Sequence, residues 1–367
     1  MEQQIKKYIN KLNPSVILAV LGIILLLCLA IAFGLRTYTI LASQRQFTPQ
    51  IHKSIHNKMQ EMVSHTNVIT LLEESARSKS IIVNTEVQTT GCNVALSLHA
   101  GSATNITISS SGLARIYRIY LPVNYTNTGK HALVLNFHGY GSTPAGQEAK
   151  SGFDMVADKD NFIVIYPEGT VGATSNRGWN TGLHPRIIAD DVLFISNLLN
   201  QVQSNFCINA SEIYATGFSN GGGFVNLLAC KMAGRIAAFA PVSGSYITSP
   251  LSCMNTYTPS IMEFHGTLDA VNPYDGNPVK HEIGVQAWLA DWAKVDGCSQ
   301  EAHTTDGKFV AIQTWSDCTN DAAIVHYTLK GEMHTWPSWL FQQTSKNDPV
   351  IASTLIWEFF IAHPLHI

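Results

Sequence analysis

Tyr214–Phe224, which reads YATGFSNGGGF, is the stretch around which the rest of the chain can be interpreted. The residues before it suit a short buried strand, and Val225–Met232 has the composition of a helix. Between them, the residues at 217–221 match G-x-S-x-G, a turn that passes directly from strand to helix and strains the central serine. The free N–H groups of the helix favour negative charge beside the exposed Ser219 hydroxyl. The pattern predicts a nucleophile, and a glycine-rich turn with a helix-starting serine is the simpler alternative.

Composition limits the class of protein. The 367 residues carry a net charge of −3, and only 13% of them are charged, without a basic stripe. A nucleic-acid partner is not expected, because such proteins present clustered Lys and Arg to phosphates. The chain contains no CxxC or HExxH spacing, so no metal site is predicted.

Residues 16–35 form an apolar run of twenty residues without a charge. A helix of this length, at a rise of 1.5 Å per residue, spans a hydrocarbon core of about 30 Å. Three lysines precede the run and favour a cytoplasmic tail at 1–15, with the remainder outside. We predict a transmembrane signal-anchor at 16–35 and a polar stalk at 36–90. A cleaved signal peptide is the alternative, although signal-peptide apolar cores are usually shorter.

Both alternatives place the remainder outside the cytoplasm, either on the cell surface or secreted. Glycosylation sequons beginning at Asn105, Asn124 and Asn209 agree with that compartment. Six of the seven cysteines lie beyond the apolar run, an even number that fits three disulfides. Fifteen pairings are possible, and we favour Cys298 with Cys318.

From Gly91 onward, strand-like and helix-like segments alternate. Besides the strand before Ser219, strands are predicted at 114–121, 132–137, 162–166, 237–242, 260–264 and 323–327. Besides the helix after it, helices are predicted at 147–159, 188–202, 281–294 and 352–362. This alternation predicts one α/β domain at 91–367, with a mainly parallel sheet and helices on both of its faces.

A serine nucleophile needs a base and an orienting acid, which in such folds follow it in the order acid, then His. Asp269 lies directly after the strand at 260–264, where sites assemble on parallel sheets. A turn-forming Asp is the simpler interpretation of this residue, and Asp275 is the fallback acid. His334 follows the strand at 323–327 by a short loop. We therefore predict Ser219, Asp269 and His334 as the catalytic residues, with a surface-loop His as the alternative for the last.

Two backbone donors are expected to hold an oxyanion. One is the N–H of Asn220, next to the nucleophile. The other is the N–H of Tyr140, in the loop at 138–141 that follows a buried strand.

Three aromatic side chains are predicted to contact the substrate. Trp179 and Trp336 are candidate pocket walls, because aromatic faces stack on sugar and phenolic rings. His138 is assigned to the same group because its loop borders the site. Core positions are an equally good interpretation of both tryptophans.

Together, HGYGS at 138–142, GFSNGGG at 217–223, HGTLD at 265–269 and HTWP at 334–337 resemble the secreted esterases of the polyhydroxybutyrate depolymerase and feruloyl esterase group. The resemblance runs from about Gly91 to the C-terminus. It implies an α/β-hydrolase fold and a serine esterase without a cofactor, with Ser219 as nucleophile, Asp269 as acid and His334 as base. The family often has Gly before the catalytic His, where Met333 stands here. This departure bears on the substrate more than on the triad.

The resemblance implies an ester substrate. Feruloyl or acetyl esters on plant cell-wall polysaccharide are the first choice, and polyhydroxyalkanoate polyesters are the second. The hypothesis from another class is a non-catalytic, cell-surface carbohydrate-binding protein, which would need a broken triad position, and none is visible in the sequence.

Overall fold

A computed structural model describes residues 91–94, 97–172, 175–184, 186–253, 257–299, 302–337 and 352–365. The chain divides into two units, Met1–Thr85 and Glu86–Ile367, and every described residue belongs to the second. The predicted tail, signal-anchor and stalk at 1–90 lie outside the described residues. Within the described ranges, no helix combines the length and hydropathy needed to cross a membrane.

The described residues form twelve strands and six helices. The strands are β1 (Ser102–Ser110), β2 (Leu113–Leu121), β3 (His131–Phe137), β4 (Ile163–Pro167), β5 (Thr170–Val171), β6 (Arg177–Gly178), β7 (Ile208–Phe218), β8 (Ala238–Val242), β9 (Ser260–Gly266), β10 (His303–Asp306), β11 (Val310–Trp315) and β12 (Ile324–Leu329). The helices are α1 (Pro144–Ser151), α2 (Phe153–Asp160), α3 (Asp191–Asn205), α4 (Asn220–Met232), α5 (Val285–Val295) and α6 (Ala352–Ala362).

Ten strands form one sheet in the order β1-β2-β4-β3-β7-β8-β9-β12-β11-β10, and β5 pairs with β6 separately. The six middle strands, from β4 to β12, pair in parallel. At both edges of the sheet, the remaining strands pair antiparallel. The predicted parallel sheet is confirmed in this centre. The sequence did not predict β1, β10 and β11, because these are half-exposed or exposed strands with a weak apolar pattern.

Helices cover both faces of the sheet, which explains why its middle strands are largely buried and mostly apolar. Every residue of β3, β4, β8 and β9 is buried. Alternate residues of β3 point to opposite faces. Leu133 and Leu135 pack into the cluster that contains α3, α4 and α5, whereas Val134 packs into the cluster that contains α2 and α6.

One predicted helix, at 147–159, is two helices. Gly152 adopts φ 62° between α1 and α2, and its N–H donates to the carbonyl of Glu148 to close the first helix. Glycine adopts this left-handed conformation without steric cost, so it ends α1 and allows α2 to start in a new direction.

Three disulfides join the six cysteines of the described chain: Cys92–Cys207, Cys230–Cys253 and Cys298–Cys318. The favoured pairing of Cys298 with Cys318 is confirmed. The first bridge ties the start of the described chain to the residue directly before β7. Such bridges fit a protein that folds in an oxidising compartment outside the cytoplasm.

Candidate active site

Ser219 occupies the sharp turn between β7 and α4. Its φ of 57° and ψ of −120° are strained for a residue with a side chain. Close packing enforces the turn. A Cβ at Gly217 would lie 2.8 Å from the backbone of Gly221, and a Cβ at Gly221 would lie 2.3 Å from the carbonyl oxygen of Phe137. The predicted strand–turn–helix is therefore present, and glycine is required on both sides of the serine.

The turn brings Ser219 to His334 and Asp269. Nε2 of His334 lies 2.9 Å from Oγ of Ser219, and Nδ1 lies 2.7 Å from Oδ2 of Asp269. Because a carboxylate only accepts, Nδ1–H donates to Asp269 and Nε2 is left to accept from the hydroxyl. The arrangement can move a proton from Ser219 to His334 while Asp269 stabilises the imidazolium that forms.

The Asp269 carboxylate is held from several directions. Its Oδ1 accepts from the N–H groups of Val271 and Asn272, both at 2.9 Å. Its Oδ2, besides meeting His334, lies 3.4 Å from Nε2 of His265. Burial opposes the charge, but the bonds from His265, His334 and Asn272 keep the pKa of Asp269 well below its usual range. Asp269 is therefore an anion at neutral pH.

Behind Asp269 lies a buried ionic group that the sequence analysis missed. Nδ1 of His265 is 2.9 Å from Oε1 of Glu263. Oε2 of Glu263 contacts Nδ1 of His326 at 2.6 Å, without the alignment of a hydrogen bond. Glu263 and His265 are two apart on β9, so they share one face of a fully buried strand. The sequence could have indicated this group, because Glu263 and His265 are two ionisable residues within an otherwise apolar strand.

The loop at 138–141, where one oxyanion donor is predicted, runs beside the nucleophile. A Cβ at Gly139 would lie 3.2 Å from Cβ of Ser219. The ring of Tyr140 stacks on His184, with centroids 4.0 Å apart. Asn220 is the first residue of α4, a position whose N–H has no acceptor within the helix. Both predicted donors therefore belong to segments that adjoin Ser219.

The structure contradicts the prediction that Trp179, Trp336 and His138 line a substrate pocket. Their exposures are 0%, 1% and 0%. Trp179 packs between Phe137 and Phe224, with ring centroids 5.1 and 5.0 Å away. Nε1 of Trp336 donates to the hydroxyl of Ser353 in the core. The core interpretation of both tryptophans is therefore correct, because no ring face is open to a ligand.

His138 stabilises the loop rather than facing a ligand. Its Nδ1–H donates to the carbonyl of Gly139 at 2.8 Å, and its Nε2 accepts from the N–H of Gly169 at 3.0 Å. Burial lowers the pKa of His138 to about 4, so the ring is neutral. In this tautomer each ring nitrogen already has its partner.

Apolar side chains surround the triad at the surface. Leu268 and Val271, which flank Asp269, are 62% and 49% exposed, and Met333, which precedes His334, is 69% exposed. The two loops are joined by a bond from the N–H of Leu268 to the carbonyl of Glu332 at 2.9 Å. In the part of the chain that the structure describes, no group of three His, Cys, Asp or Glu side chains is arranged to hold a metal ion.

A parallel sheet with a strained serine after a central strand, and His and Asp on later strand–loop junctions, defines the α/β-hydrolase fold with a serine–histidine–aspartate site. Residues 121–314 match the phospholipase/carboxylesterase family, and the chain belongs to that family.

Comparison with known proteins gives relatives that are esterases by name. The chain is 27% identical over 255 residues to the bifunctional acetylxylan esterase/xylanase XynS20E of Neocallimastix patriciarum, covering 66% of this chain and 35% of the relative. It is 29% identical over 229 residues to feruloyl esterase B of Piromyces equi, covering 59% of this chain and 42% of the relative. The matches therefore span less than half the length of either relative.

A solved structure, the acetyl xylan esterase from Aspergillus awamori, superposes with a TM-score of 0.53. The superposition covers 71% of this chain and 99% of that chain, at 19% sequence identity. At this identity, the likeness concerns the fold.

Proposed function

We propose that this chain is an extracellular serine carboxylic-ester hydrolase that removes feruloyl or acetyl groups from plant cell-wall polysaccharide. The observation that carries the proposal is the continuous line from Asp269 through His334 to Ser219, with distances of 2.7 and 2.9 Å. The names of the two relatives, an acetylxylan esterase/xylanase and a feruloyl esterase, support the substrate class.

In the first half of the reaction, Oγ of Ser219 attacks the ester carbonyl and its proton passes to Nε2 of His334. The carbonyl electrons move onto its oxygen, which receives hydrogen bonds from the N–H groups of Asn220 and Tyr140. Each such donor stabilises the transition state by about 3 kcal/mol. Asp269 stabilises the imidazolium. The tetrahedral intermediate then collapses, and the departing alkoxide takes the proton from His334.

In the second half, water replaces the alcohol. His334 accepts a proton from water, whose oxygen attacks the acyl-enzyme carbonyl. Collapse of this intermediate breaks the bond to Oγ, returns the proton from His334 to Ser219 and releases the acid. These side chains and backbone donors complete both halves, so the proposal includes no cofactor.

The test is Ser219→Ala, assayed with a short p-nitrophenyl ester. We expect kcat to fall more than about 10⁴-fold, because the nucleophile is removed. The far-ultraviolet circular dichroism should not change. Ser204→Ala, an exposed serine on α3, is the matched control and should retain full turnover. Unchanged turnover in Ser219→Ala would remove this residue from the mechanism.

A polyhydroxyalkanoate depolymerase is the second candidate. The exposed apolar side chains of Leu268, Val271 and Met333 around the triad favour it, because a polyester presents a more apolar surface than a polysaccharide. Methyl ferulate, acetylated xylan and hydroxybutyrate oligomers, assayed side by side, separate the candidates by their kcat/KM. Preference for the oligomers would replace the polysaccharide assignment.

A non-catalytic carbohydrate-binding protein is the candidate from another class. It predicts binding of xylan fragments by a protein that is inert towards every ester and towards fluorophosphonate probes. The complete triad opposes this candidate, and labelling of Ser219 by a fluorophosphonate would exclude it.

We further propose that residues 16–35 anchor the chain in a membrane, with 1–15 in the cytoplasm, 36–90 as a stalk and 91–367 as the external catalytic domain. The uncharged run and the three disulfides support this arrangement. Asn105 and Asn124 are exposed and suit glycosylation. Retention of the full-length chain in carbonate-washed membranes, with its glycans lost on glycosidase treatment, is the expected result. Recovery of the chain from the medium would favour the cleaved signal peptide.

A further inference from the structure

We propose that His265 is a positioning residue for this esterase reaction: a buried imidazolium that holds Asp269 in place and sets a positive charge beside the Asp269–His334 pair. This inference rests on the proposed function. His265 contacts Asp269 but not Ser219.

With Glu263 and Asp269 ionised, the hydrogen-bond geometry gives His265 an acceptor at each ring nitrogen. Its Nδ1 faces Oε1 of Glu263 at 2.9 Å, and its Nε2 faces the carbonyl oxygen of Asn272 at 2.8 Å and Oδ2 of Asp269 at 3.4 Å. A carbonyl oxygen and an ionised carboxylate can only accept hydrogen bonds. Both ring nitrogens must therefore carry a proton. The ring is only 1% exposed, so no water shares these partners.

Glu263 is the counter-ion that makes a buried imidazolium tolerable. Its side chain is 0% exposed, and Oε1 also accepts from the hydroxyl of Tyr246 at 2.9 Å. Burial opposes the charge on both residues. Their mutual attraction nevertheless raises the pKa of His265 to about 10 and lowers the pKa of Glu263 to about 2. A partnered ion pair of this kind is stable where either ion alone would be costly.

Every packed element contributes a titratable or charged group near the ring. These groups are Glu263 on β9, Asp269, Tyr274 and Glu282 on the segment that follows it, Tyr246 after β8, and His326 on β12. Carboxylates therefore lie on both sides of His265. Burial raises the pKa of Glu282, whose carboxyl oxygens have no partner within the described residues.

The position of this cation has two effects on the triad. First, Nε2 contacts both Asp269 and the carbonyl of Asn272, whose N–H binds the other oxygen of Asp269, so one ring braces the loop that carries the acid. Second, a positive charge beside Asp269 offsets part of the attraction between that carboxylate and a protonated His334. The pH dependence of the reaction should therefore respond to the loss of this charge.

The first experiment compares His265→Gln with wild type in the pH profile of kcat/KM for p-nitrophenyl acetate. We expect the acid limb to move to higher pH by about one unit, because the positive charge of His265 beside the Asp269–His334 pair is lost. KM at the pH optimum should change less than about twofold, since His265 does not touch substrate. If the single variant folds poorly, the double variant Glu263→Gln/His265→Gln replaces it, because it removes both buried ions together. Its acid limb should move in the same direction.

Asp296→Asn is the matched control, because it also replaces a buried ionisable side chain with an amide, and no charged side chain contributes to the pKa of Asp296. Its acid limb should coincide with that of wild type. Identical profiles for wild type, the His265 variants and this control would overturn the inference while leaving the esterase proposal intact. An inactive wild type would instead contradict the proposed function.

A second measurement uses the wild-type protein alone. Nitrogen-15 spectra of histidine-labelled protein should show both ring nitrogens of His265 protonated from pH 6 to pH 8. A neutral tautomer of His265 in that range would overturn the inference, whatever the variants do.

Discussion

The side-chain amide of Asn220 pairs with the backbone of Trp179 as one peptide group pairs with another. Oδ1 accepts from the N–H of Trp179 at 2.7 Å, and Nδ2 donates to its carbonyl at 3.2 Å. The N–H of Asn180 continues the chain of contacts by donating to Asp191 at 2.8 Å, which binds Arg115 at 2.7 Å. The residue after the nucleophile is thereby fixed to a segment about 40 residues away along the chain.

Asn220→Ala tests this pairing. The change leaves the buried N–H of Trp179 unpaired, whereas its carbonyl still accepts from the N–H of Thr181. The free energy of unfolding should therefore fall by about 1–3 kcal/mol. We expect kcat to fall about tenfold or more, because the first turn of α4 loses its lateral support. Urea unfolding and steady-state kinetics measure the two effects.

Asn226→Ala is the matched control on the same helix. Its Oδ1 accepts from Nε1 of Trp288 and of Trp292, at 2.9 and 3.2 Å, away from the nucleophile. It should lose comparable stability and keep its kcat. Equal losses of kcat in both variants would show that the effect is general destabilisation.

Gly221→Ala should destroy the turn that carries Ser219. The added methyl would lie 2.3 Å from the carbonyl oxygen of Phe137 and 2.7 Å from that of His138, and backbone atoms cannot rotate away. We expect a loss of kcat of more than about 100-fold, as for other displacements of catalytic groups. In Gly129→Ala the nearest atom would lie 3.9 Å away, so normal kinetics are expected there. Wild-type activity of Gly221→Ala would mean that the turn adapts.

Asp296→Asn should stabilise the protein above neutral pH. Burial raises the pKa of Asp296 to about 8, and both carboxyl oxygens lack a partner. In the unfolded chain the group ionises near pH 4. Between about pH 4 and pH 8 the folded state therefore holds a proton that the unfolded state has lost, and stability falls as pH rises. The variant lacks this slope, so its stability relative to wild type should rise by about 1.4 kcal/mol per pH unit between about pH 4 and pH 8, with little gain at pH 4.

Asp191→Asn provides the contrast, since the Asp191 carboxylate is buried but bound to Arg115. Removing that carboxylate leaves the guanidinium with the carbonyl of Glu168 but without a counter-ion, so stability should fall. Denaturant unfolding at several pH values separates the two cases. A pH-independent effect of Asp296→Asn would contradict the assignment of a buried, protonated acid.

The disulfides should contribute unequally to stability. Cys92–Cys207 spans a sequence separation of 115, whereas Cys298–Cys318 spans 20. Loop-closure entropy predicts losses of about 5 kcal/mol and about 3 kcal/mol when each pair is replaced by alanine. Guanidinium unfolding of the two double variants gives the comparison. A larger loss for the shorter loop would show that native packing, rather than the unfolded chain, dominates.

The contact between Ser219, Asp269 and His334 was predictable because each residue follows a strand, either directly or after a short loop. Parallel strands bring their carboxyl ends to one edge, so Ser219, Asp269 and His334 meet although 115 residues separate the first from the last. The three strands were recognisable from continuous apolar runs. Local order in the sequence was thus sufficient to predict a contact between distant residues.

Side-chain burial was not predictable in the same way. His138 begins the loop that was predicted to supply an oxyanion donor, and Trp179 offered an aromatic face. Both rings nevertheless turn into the core, where Phe137 and Phe224 complete an aromatic cluster with Trp179. His265 shows the opposite failure. Inside an apolar strand it reads as a core residue, and its importance depends on Glu263 and Asp269, whose contacts with it exist only in three dimensions.

The bridge between Cys92 and Cys207 also ties the start of the described chain to one end of β7. Cys207 immediately precedes β7, and Ser219 immediately follows it. The partners of β7 on β3 run from His131 to Phe137, which is about 20 Å, so the bridge lies at the end of the strand remote from Ser219. The bridge therefore fastens the start of the described chain without obstructing the approach of a substrate to the serine.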